Sequence, residues 1–172
     1  MDSNELRAIQ APLKVRYEDD PNAALVTLRA SGELGREALV CSVQTGWALA
    51  EAGLHPASGG DGLSLCSGDM LLESLVACAG VTLKAVATAL GIVVRKGTVL
   101  AEGELDFRGT LGVAKDAPVG FKSLHLVFEL DTDASAEQLE KLITLTERYC
   151  VVYQTLKAPP PVAVSRRVLR GA

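Results

Sequence analysis

Hydrophobic and polar positions change period several times along this chain, and each change marks an element. In FKSLHLVFEL (121–130), Leu124, Leu126, Phe128 and Leu130 alternate with Ser123, His125, Val127 and Glu129, the period of a half-buried strand. IVVRKGTVLAEGELDFRG (92–109) reads as one long strand or two. Nearer the start, KVRYED (14–19) and AALVTLRASG (23–32) flank the turn-forming DDPN and predict a hairpin. EALVCSVQTG (37–46) predicts a third strand, and VAVSRRVL (162–169), after the PPP at 159–161, a last one.

Two stretches carry helical spacing instead. From about Gly68 to Leu90 the chain is apolar nearly all round, which predicts a central buried helix. Ser67 is placed to cap it, Asp69 sits in its first turn where a carboxylate suits the positive end, and Gly91 stops it. The Gly-rich segment before it, 53–68, predicts a surface loop. A second helix opens at DASAEQLEKL, where Ser135 and Gln138 form a capping-box pattern. Leu139, Leu142, Ile143, Thr146, Tyr149, Cys150 and Tyr153 follow at spacings of three and four, one stripe facing the core. Strands, buried helix, strands, helix and strand in that order predict an α+β protein with helices on one side of a mainly antiparallel sheet. The 172 residues suit one domain, with residues 1–13 as a flexible or peripheral N-terminus.

Composition narrows the function classes. Hydrophobic residues make up 48% and charged residues 22%, as in an ordinary globular chain. The net charge is −4 with no block of Lys and Arg, which speaks against nucleic acid and against an anionic membrane surface as partners. The longest apolar run is interrupted by Glu73, Ser74, Lys84 and Thr88, a poor membrane span. The first residues show no secretory signal, so the expected location is the cytoplasm, where the four cysteines are thiols rather than a disulfide framework.

Two of those thiols raise a chemical question. Cys78 stands among Ala77, Ala79 and Gly80 in the apolar helix, and Cys150 points inward from the second helix with Arg148 close in sequence. A free cysteine most often serves as a small buried hydrophobe, and periodicity alone does not say that these two meet. A zinc site drawn from Cys41, Cys66, Cys78, Cys150, His55 and His125 has no C-x₂₋₄-C pair, so no metal is expected. GGDG at 59–62 follows no strand and lacks the phosphate-binding Lys, which makes it a connection. His55 reads as a loop residue, with a place at the mouth of a site open to it. Trp47 and Cys41 read as packing, and Cys66 as a loop thiol.

GGDGLSLCSGDMLLESLVACAGVTLKAVATAL (59–90) resembles the central helix of the OsmC/Ohr family, with its Gly-rich loop, a run of Leu and Ala, and then Cys. ERYCVVYQTL (147–156) is similar to the family's second motif, typically Cys-Pro-Val-like. The resemblance spans roughly 14–169 and implies antiparallel sheets wrapped around a long central helix in an intertwined homodimer. It implies a thiol-dependent peroxidase of small organic hydroperoxides, with no cofactor and a dithiol as reductant. Carried over by position, Cys78 would attack the peroxide and Cys150 resolve the resulting sulfenic acid. The family's peroxidases add a Glu ten residues before the first Cys, and that position here is Gly68; Asp69 is the nearest carboxylate. The family's Arg would correspond to Arg29 or Arg36, of which Arg36 is the candidate site residue. The same resemblance admits a second outcome, a non-catalytic dimer that binds a small apolar ligand at the subunit interface.

Overall fold

The computed structural model describes residues 3–34, 41–43, 52–63 and 65–166. Its centre is a four-stranded antiparallel sheet in the order β2-β1-β5-β6, built from β1 (Leu25–Leu34), β2 (Cys41–Val43), β5 (Lys96–Asp106) and β6 (Phe121–Asp131). The alternation read in β6 holds, with Leu124, Leu126, Phe128 and Leu130 partly buried and Ser123, His125 and Glu129 exposed. Along β5 every second residue from Gly97 to Gly103 is buried, and Val99 and Ala101 are fully so. Gly103 is required on that face, because a Cβ there would lie 2.4 Å from the Phe121 ring across the strand pair.

The helix α2 (Ser67–Leu90) packs across β1 and β5, and α4 (Ala136–Tyr149) and α5 (Val151–Lys157) pack on α2. By length and composition α2 could cross a bilayer, but Leu72, Leu75, Val76, Ala79, Leu83 and Ala87 are spent on the core of this chain. It ends at Gly91 in the left-handed conformation, φ 67°, as the sequence predicts. Its cap is Cys66, without a side-chain bond, and Ser67 is already the first helical residue. The capping box of Ser135 and Gln138 is present at the start of α4, with both hydrogen bonds made.

Several expected elements differ. Residues 14–19, expected as a strand, belong to a helix α1 (Ser3–Asp19) that also takes in most of the stretch read as a loose N-terminus. A strand would put Val15 and Tyr17 on one face, yet Val15 is exposed and Tyr17 is 2% exposed. Helical spacing instead sets Leu13 and Tyr17 together against Phe107 and Leu111. The DDPN turn is consequently a 3₁₀ turn, Pro21–Ala24, capped by Asp20 and leading into β1 rather than closing a hairpin. The loop at 53–68 carries a short parallel pair, β3 (Ala52–Gly53) with β4 (Leu65–Cys66). Residues 162–166 form no strand. Of the predicted strand at 37–46 only Cys41–Val43 lies within the described residues; Trp47 and Arg36 lie outside them.

Candidate functional site: the Cys78–Cys150 thiol pair

The stripe expected to run unbroken through Cys150 is interrupted there. Cys150 is extended, φ −74° and ψ 108°, and separates α4 from α5 while capping both. Its N–H still donates to Thr146 O and its carbonyl still accepts from Gln154 N, each at 2.9 Å, so the break costs little hydrogen bonding. It frees the first N–H groups of α5, which have no partner within their own helix. Tyr153 N–H goes to Cys150 Sγ at 3.5 Å. The N–H groups of Val151 and Val152 lie near the sulfur of Cys78 and act on its ionisation.

The two thiols therefore meet, although neither motif reveals it. They share one core cluster with Leu72, Leu75, Val76 and Ala79, Cys150 fully buried and Cys78 half-buried. The Cys150 thiol and the Thr82 hydroxyl, one helical turn beyond Cys78, both stand beside the Cys78 sulfur and favour its thiolate.

These neighbours move the two ionisations in opposite directions. Burial pushes the Cys78 thiol up, but the N–H of Val152, the Cys150 thiol, the N–H of Val151 and the Thr82 hydroxyl outweigh it, and Cys78 lies below the ordinary thiol range. Cys150 is pushed up to about 11, first by burial and further by the neighbouring Cys78 sulfur, with Tyr153 N–H pulling the other way. A thiolate is the nucleophilic form of cysteine, so the pair consists of one activated sulfur and one held as a thiol.

The carboxylate expected to assist does not join them within the chain. Asp69 precedes Cys78 by nine residues on the same helix. That is about 13–14 Å along the axis and, at roughly 100° per residue, the opposite side of it. Asp69 faces His55 and Glu73 instead: burial raises its carboxyl and His55 opposes that rise, while burial and Asp69 together raise Glu73. The backbone of Arg29 stands opposite Glu102 in the β1–β5 register, and Arg36 lies outside the described residues. Among the described residues, the groups acting on Cys78 are all neutral donors. Thr82 and the backbone of Val151 and Val152 are the site groups that the sequence reading missed. Thr82 was legible four residues beyond Cys78 on a helix; the backbone donors were not, since they depend on the break at Cys150.

Comparison with known proteins bears on this arrangement. The family model for OsmC-like protein matches residues 59–165, which takes in both thiols. No curated protein sequence matches significantly. Among solved structures, an OsmC-like hydroperoxide resistance protein from Jannaschia sp. CCS1 superposes with a TM-score of 0.57 at 21% identity, covering 84% of this chain and 95% of that one. An OsmC-like protein from Mycoplasma pneumoniae superposes with a TM-score of 0.50 at 21% identity and covers 56% of this chain. This chain spans 64% of the length of the Mycoplasma protein.

Proposed function

We propose that this chain, which belongs to the OsmC-like protein family, is a thiol peroxidase that reduces small organic hydroperoxides with Cys78 and Cys150. One observation carries the reading: two thiols from distant segments lie in one core cluster, Cys150 at the N-terminus of α5, and their neighbours displace the two ionisations in opposite senses. The similar protein from Jannaschia is named for hydroperoxide resistance, which agrees with it.

The chemistry runs in three balanced steps. The Cys78 thiolate attacks the terminal oxygen of ROOH and the O–O bond breaks; the alkoxide takes a proton from water and leaves as ROH, and Cys78 becomes a sulfenic acid. The Cys150 thiol then attacks the Cys78 sulfur and loses its proton, an S–S bond forms, and water leaves. A dithiol reductant reduces the disulfide to two thiols and is itself oxidised to a disulfide. Cys78 polarised by Val151, Val152 and Thr82 performs the first step with neutral donors, the groups that act on it among the described residues. Cys150, protonated at neutral pH, keeps a proton on the sulfur beside Cys78, and ionises as it attacks. A reducing cytoplasm is the compartment in which this cycle resets.

The working unit is a homodimer. Leu71 and Val81 are 37% and 39% exposed on α2, whose opposite face is core, and a second copy would cover them. Light scattering should then give twice 18.0 kDa.

Purified protein should consume cumene hydroperoxide with dithiothreitol as reductant. Cys78→Ser should abolish turnover, and Cys150→Ser should permit one round of oxidation. Wild-type protein that leaves the hydroperoxide intact, with both thiols unmodified by mass spectrometry, overturns the proposal. Among the described residues the groups acting on Cys78 are all neutral, which favours one competing reading, a non-catalytic ligand-binding member of the family, and that result would select it.

A further inference from the structure

A cavity of about 400 Å³ opens beside the start of α2, away from the thiol pair. Neither Cys78 nor Cys150 lines it. Cys66, which does, precedes Cys78 by twelve residues, about 18 Å along the helix axis. Its walls are mainly hydrocarbon, from Leu54, Leu71, Leu105, Phe107, Val119 and Phe121.

The polar side of the cavity is rigidly built. A Cβ on Gly60 would lie 1.7 Å from Leu54 O, so the loop closes on itself there. From α1, Tyr17 Oη donates to Ala57 O at 2.6 Å and Gln10 Nε2 to Ser58 O at 3.2 Å. The His55 ring stacks on Phe107 with centroids 5.0 Å apart, and its Nδ1 accepts from Ala57 N at 3.0 Å. An acceptor at Nδ1 leaves the proton of the neutral ring on Nε2. Among the described residues Nε2 has no hydrogen-bond partner. The Ser58 hydroxyl, buried on the same wall, is already committed to His55 O at 2.9 Å.

We propose that this cavity binds a small, neutral, mainly hydrocarbon molecule carrying one carbonyl-type acceptor, which the Nε2–H of His55 receives. Volume and walls set the hydrocarbon body. The ring donor of His55, with the Ser67 and Thr110 hydroxyls on the same lining, sets the acceptor. Neutrality follows from the lining, which among the described residues holds no Lys or Arg to balance a buried anion. Cys66 stands in the same wall and reports occupancy, because a ligand filling the cavity shields its sulfur. The inference does not rest on the peroxidase reading, since neither thiol of that reaction is needed.

The test uses the full chain carrying Cys78→Ser and Cys150→Ser, which has no peroxidase chemistry to lose. Alkylation of Cys66 by N-ethylmaleimide is followed by peptide mass spectrometry, with and without 2-acetonaphthone, a neutral bicyclic ketone. The ketone should slow Cys66 saturably, by at least tenfold, and equilibrium dialysis should give the same affinity. In His55→Phe, which keeps a ring on Phe107 but no donor, affinity should fall about three- to tenfold, the size of one lost hydrogen bond. The anion 2-naphthoate, of the same shape, should protect at least tenfold less well. No saturable protection and no binding by dialysis overturns the proposal, as does equal affinity in His55→Phe. Better protection by naphthoate than by the ketone also overturns it, and that comparison needs no ring variant to fold.

Discussion

Cys150 meets Cys78 in the core from the residue at which α4 stops and α5 begins. The break and the contact are one feature. Were the helix continuous, the N–H groups of Val151 and Val152 would be bound to carbonyls one turn back and could not reach the Cys78 sulfur. The interruption thus supplies neutral donors to the Cys78 sulfur.

Thiol reactivity should separate the two cysteines by pH. Cys78 lies below the ordinary thiol range and Cys150 at about 11. A lowered value means that the reactive thiolate is already abundant where a free cysteine is still protonated. Iodoacetamide should therefore alkylate Cys78 with a pH midpoint below that of the same cysteine in urea-unfolded protein, and Cys150 with a midpoint above it. Coinciding folded and unfolded profiles for Cys78 would remove the activation described above.

Thr82→Val keeps the shape of the side chain and deletes one donor to Cys78. Fewer hydrogen bonds to a thiolate favour the thiol, so the Cys78 midpoint should move up. Alkylation near neutral pH should slow by roughly three- to tenfold, the worth of one hydrogen bond. The Tm should shift by only a few degrees, since the Thr82 hydroxyl is not needed to close α2. A midpoint unchanged in this variant would take Thr82 out of the site.

Val151→Pro makes the same test on the backbone. Val151 is the first residue of α5, a position that proline suits because its fixed φ is helical and no intrahelical N–H is lost. The preceding Cys150 already has the extended conformation that proline imposes on its neighbour. The fold should survive and the N–H to Cys78 should vanish. The Cys78 midpoint should again rise, and combined with Thr82→Val the two shifts should exceed either alone.

How much of this was legible follows from how local each signal is. Strand β6 and helix α2 were readable because an alternation and a long apolar run ending at Gly91 report burial directly. The capping box at Ser135 was readable because both of its residues lie within one turn. Helix α1 was misread since Val15 and Tyr17 sit two apart, a spacing that imitates a strand when the partner surface, Phe107 and Leu111, is remote in sequence. The break at Cys150 had no glycine or proline to announce it; packing against α2 imposes it. The resemblance paired the two thiols, and the same positional transfer offered Asp69, which helical geometry puts on the far side of α2.

Acid stability should depend on one buried carboxylate remote from the thiols. Asp106, 2% exposed, caps the short helix α3 (Phe107–Thr110) by accepting from Arg108 N at 3.1 Å, and it pairs with the Arg108 guanidinium. The Arg108 side-chain hydrogen bonds hold its carboxyl below the usual carboxylate range, against the opposing effect of burial. A folded-state value below the unfolded one means that the stabilisation is present above the unfolded carboxylate pKa and is lost as pH falls through the folded one. Asp106→Asn keeps an acceptor for the Arg108 N–H but removes the charge. The variant should be less stable than wild type at neutral pH, and the gap should narrow as both are titrated into acid. Urea denaturation at a series of pH values measures this, and a gap that stays constant down through the acid range would assign Asp106 a capping role without the ion pair.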